Sequence, residues 1–112
     1  MSKRIIDPQT IRRMSPLLAQ IAADLADAYA DACDIHQADA AALPEAMDAV
    51  LARVQGYTNE IEQLGGSVRS YHPVQIEFLA EVGPQLGTIR WSPDGDETFR
   101  PAEALCAEAV AA

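Results

Sequence analysis

Residues 16–37 read PLLAQIAADLADAYADACDIHQ, and the apolar members Leu18, Ile21, Leu25, Ala28, Ala32 and Ile35 are separated by 3, 4, 3, 4 and 3 positions. An α-helix turns by about 100° per residue, so this spacing gathers the six side chains into one stripe, the seam along which two helices interlock. The pattern recurs downstream. Met47, Val50, Val54, Tyr57, Ile61 and Leu64 repeat the same order after a start at Leu43-Pro44-Glu45 and before a stop at Gly65-Gly66. The connection, roughly His36 to Leu43, is short enough to predict an antiparallel helical hairpin, each arm about 30 Å long for about 20 residues.

Towards the N terminus, Asp7-Pro8 is a helix start: the carboxylate can accept orphan N–H groups, and proline at the first helical position loses nothing. A short helix to about Met14 follows, and Ser15-Pro16 repeats the signature. A proline deep inside one continuous helix costs about 3 kcal/mol, so the reading places a break or restart there. Beyond Gly66 the period changes to two. Val74, Ile76, Phe78 and Ala80 alternate with Gln75, Glu77, Leu79 and Glu81, which describes a strand with one buried face. A strand around Ser67 to Tyr71 precedes it. Thr88 to Ser92 and Glu97 to Arg100 form a hairpin around Pro93-Asp94-Gly95. The inward residues Ile76, Phe78, Ile89, Trp91 and Phe99 need a cover, and the helical hairpin is the large apolar surface available. From Pro101 an alanine-rich pattern with Leu105, Cys106, Ala109 and Val110 on one side reads as a C-terminal helical segment. The expected architecture is α+β: one domain over residues 1–112, with a long antiparallel helical hairpin (7–64) packed on a small antiparallel sheet (67–100) and a helical tail (101–112).

Eight Lys and Arg against 17 Asp and Glu give a formal net charge of −9 in a chain of 112 residues, 49% of them hydrophobic. That composition supports a folded core without disulfide or metal staples. It opposes nucleic-acid binding, because the only basic clusters, Lys3-Arg4 and Arg12-Arg13, are short and the phosphate backbone demands cations. Met1 is followed by Ser2-Lys3-Arg4 and only two apolar residues, Ile5 and Ile6, before Asp7-Pro8, so no signal-peptide core is expected, and no stretch of this sequence is long enough to span a bilayer. Cys33 and Cys106 lie far apart with no Cys-x-x-Cys or Cys/His clustering. The expectation is a reduced, cytoplasmic setting with two small buried thiols, a disulfide between them being the alternative.

The order of helical hairpin, Gly65-Gly66-Ser67-Val68-Arg69, then Val74-Gln75-Ile76-Glu77-Phe78 and Ile89-Arg90-Trp91 resembles the bacterial domain-of-unknown-function family numbered 2203, over most of the chain. The resemblance implies the same hairpin-plus-strands fold and no assigned activity. Leu79 stands where that family has a proline, Ile89-Arg90 where it has leucine-cysteine, and its Trp-His and Gly-Phe elements have no counterpart. A ligand bound through those residues would therefore be lost here.

Four features are candidates for chemistry. Asp24, Asp27, Asp31 and Asp34 form an acidic ridge beside the seam: a docking strip for a basic partner, a divalent-cation site or a solvated flank. The inward Glu-x-x-His pairs of a helix-bundle metal site are absent. Ala22, Ala26 and Ala30 with Cys33 form a small-residue face that would let another backbone approach, from the C-terminal segment or a second protomer. Arg69, Tyr71 and His72, with Arg90 and Trp91 across the sheet, could hold a carboxylate or phosphate in a pocket between hairpin and sheet. Asp94-Gly95-Asp96-Glu97 lacks the ladder of a calcium loop and reads as a turn. Gly56 inside the second helix points to close packing, since glycine there costs about 1 kcal/mol. His36 sits at a helix end, where its charge suits the macrodipole. No catalytic, metal or cofactor motif is present. The leading expectation is a non-catalytic interaction or assembly module that self-associates as a homodimer, with the ridge open to a basic protein. The alternative is a small-molecule binder or enzyme using the Arg69 cluster.

Overall fold

The computed structural model describes residues 5–37, 43–94 and 96–102. Asp7 caps the first helix as expected: its Oδ1 accepts the Gln9 N–H at 2.9 Å and its carbonyl accepts the Thr10 and Ile11 N–H groups at 2.9 and 3.2 Å. Helix α1 (Pro8–Gln37) then runs for 30 residues without interruption. The break expected at Ser15-Pro16 is therefore corrected. Pro16 is exposed, on the side of the helix opposite the buried Leu18 and Leu25, so the Arg12 carbonyl that its ring leaves without a helical donor lies on the solvent side.

Helix α2 (Leu43–Gln63) returns beside α1. Leu25 and Ala28 of the first seam are fully buried, as is Ile61 of the second; Val50 is buried, while Val54, Tyr57 and Leu64 are half-buried. The interlocked stripes are thus the contact between the arms. At the end of α2 the chain tightens, the Leu64 N–H reaching the Glu60 and Ile61 carbonyls and the Gly65 N–H that of Glu62. Gly65 takes φ +96°, the left-handed conformation that ends a helix and suits glycine. Gly66 must also lack a side chain. A Cβ there would lie 2.8 Å from Ile76 Cγ2 and 3.0 Å from Phe78 Cε1.

Four strands follow: β2 (Gly66–Tyr71), β3 (Val74–Val82), β4 (Gln85–Trp91) and β5 (Glu97–Pro101), paired antiparallel in sequence order. Strand β4 begins earlier than the reading from Thr88 because β3 and β4 extend to a tight turn at Gly83, whose φ is +60°. Strand β1 (Ile5–Ile6) was not anticipated. It pairs parallel with Leu79 and Ala80, so β1 and β2 share one edge of β3 end to end. Pro101 closes β5 opposite Gly87, Ala102 is already helical, and residues 103–112 of the helical segment expected over 101–112 lie outside the described residues. The inner face of the sheet, Val74, Ile76, Phe78, Ala80, Ile89 and Trp91, is buried against Ile11, Leu18, Ile21, Ala22 and Leu25 of α1 and Ile61 of α2 in one core; Phe99 packs at its margin. The result is α+β, a helical hairpin over one face of a five-stranded, mostly antiparallel sheet.

Candidate functional site

The alternation that buries one face of β3 turns Gln75, Glu77 and Leu79 to the other, away from the helices. Register carries Arg90, opposite Glu77, and Thr88, opposite Leu79, onto this outer face, then Thr98 and Arg100 from β5. A register shift between Val68 and Ser70 alters the edge strand. It brings Arg69 beside Glu77 and rotates Tyr71 to the helix side, paired with the buried Val74.

Two arginines therefore close on one carboxylate. Arg69 donates from Nε and Nη2 to Glu77 Oε1 at 3.2 and 3.1 Å, and Arg90 donates from Nη2 to Oε2 at 3.4 Å. The Glu77 side chain is only 14% exposed, whereas those of Arg69 and Arg90 are 49% and 40% exposed. Arg90 Nε is buried and without an acceptor. The pairing leaves about one uncompensated positive charge on the sheet surface. Towards the other end the face carries apolar residues among polar ones: half-buried Leu79 lies between Ile5, 53% exposed on β1, and Thr88 of β4, and Leu86, 41% exposed, is diagonal to it and opposite Glu81.

The five residues expected to share a ligand pocket do not converge. Trp91 faces inward, 1% exposed, and its indole N–H donates to Ser15 Oγ at 3.2 Å. Tyr71 stacks on Tyr29 of α1, ring centroids 5.5 Å apart. His72 is exposed in the β2–β3 turn. Arg69 and Arg90 do meet, on the opposite side of the sheet from Tyr71 and Trp91, and the carboxylate they hold is the chain's own. Adjacent strand residues point to opposite faces, which separates Arg90 from Trp91.

The small-residue face is corrected in part. Ala22 is 1% exposed in the core and Ala26 packs against it, because α1 touches two layers and its sheet-facing side includes these positions. Ala30 is exposed, and Cys33 is half-buried with a free thiol; Cys106 lies outside the described residues. On the ridge, Asp27 and Asp34 are exposed, and half-buried Asp24 accepts a hydrogen bond from Gln20 Nε2 at 3.3 Å. Asp31 meets Arg53 of α2 at 2.9 Å, and that hydrogen bond raises the Arg53 pKa above its ordinary value. The ridge is thus the solvent side of the hairpin. His36 is exposed in the last turn of α1. Near the last turn of the sheet, Glu97 points inward to Arg12, at 3.4 Å, while Asp94 and Asp96 are exposed. Gly56 is exposed, and a Cβ there would meet nothing within 4 Å, so close packing is not its reason. Among the described residues no group of three or more His, Cys, Asp or Glu could hold a metal ion, and no helix is long and apolar enough to cross a membrane.

The neighbour that decides the role of the outer-face arginines is Glu77, which in the sequence is only the polar half of an alternation. Its position between two arginines follows from register once β2, β3 and β4 are aligned. Comparisons with family models, curated proteins and solved structures found no match.

Proposed function

We propose that this chain is a non-catalytic association module, and that the outer face of its sheet is the surface through which it self-associates. One observation carries the reading: the face left bare by the helices bears Ile5, Leu79 and Leu86 beside a fixed Arg69–Glu77–Arg90 cluster. A sheet face kept only for solvent needs no apolar strip; apolar residues rimmed by charge are the composition of an interface. The cluster suits docking more than small-ligand capture, since Glu77 already occupies the two guanidiniums and anion binding would have to displace it.

Sedimentation equilibrium of the full chain tests this. The expected result is a weight-average mass that rises with concentration as copies associate. A monomer mass maintained up to about 1 mM, corresponding to less than about 4 kcal/mol of association free energy, would contradict it.

A further inference from the structure

We draw no further inference here: the strongest candidate, the edge of the sheet along β5 (Glu97–Pro101), which pairs with β4 on one side and with no other strand among the described residues, carries nothing because nothing in the structure shows what covers it.

Discussion

Gly56 and Gly66 show how far a residue's meaning depends on what surrounds it. Both lie in or just after α2, yet one faces open solvent while the other is enclosed by Ile61, Ile76 and Phe78. Gly56→Ala adds helix propensity and touches nothing, so it should stabilise the protein by about 0.5–1 kcal/mol in urea unfolding followed by Trp91 fluorescence. Gly66→Ala forces a methyl between buried side chains that have no room to move and should destabilise by about 1–3 kcal/mol in the same assay. Equal effects at the two positions would contradict the packing described. The sequence pattern shows the chain ending a helix at Gly65-Gly66, but not the crowding at Gly66, which comes from β3 residues ten and twelve positions away. Arg69 and Tyr71 make the same point: a shift of register in β2, unmarked by any residue type, sends one to Glu77 and the other to Tyr29.

Among the elements, the two helical seams and the alternation of β3 were legible because each repeats over several turns or pleats, and burial follows them closely. Strand β1 was not, since two residues contain no period, and its place beside Leu79 is a tertiary event. Helix α1 was legible in kind but not in extent: the proline cost was set against continuity without regard to which side Pro16 occupies. Because that side is exposed, replacing Pro16 by Ala restores a donor to the Arg12 carbonyl with no repacking. The expected outcome in chemical unfolding is a gain of about 1 kcal/mol or more, a helical proline's penalty of about 3 kcal/mol being partly offset by the rigidity it gives the unfolded chain. A loss of stability would mean that the ring at this position fixes the path of α1 over Trp91 and Ser15.

On the scale of the whole molecule, the hairpin and the inner sheet face bury their apolar side chains in one core, and the outer face is a surface where further contacts can form. The candidate ligand cluster dissolves at this scale because the sheet itself stands between its members. What replaces it, Arg69 and Arg90 around Glu77 next to Leu79 and Leu86, is a feature of assembled strands and had no signature in any single stretch. The most direct measurement is pulse labelling of Leu86→Cys in a Cys33→Ala, Cys106→Ala background, with Gln55→Cys on the exposed side of α2 as the reference. The expected result is rapid maleimide labelling at Leu86→Cys in dilute solution and protection as concentration rises, with Gln55→Cys labelled equally throughout. Labelling at Leu86→Cys that stays constant across a range in which the mass increases would show that the outer sheet face is not the surface by which the copies meet.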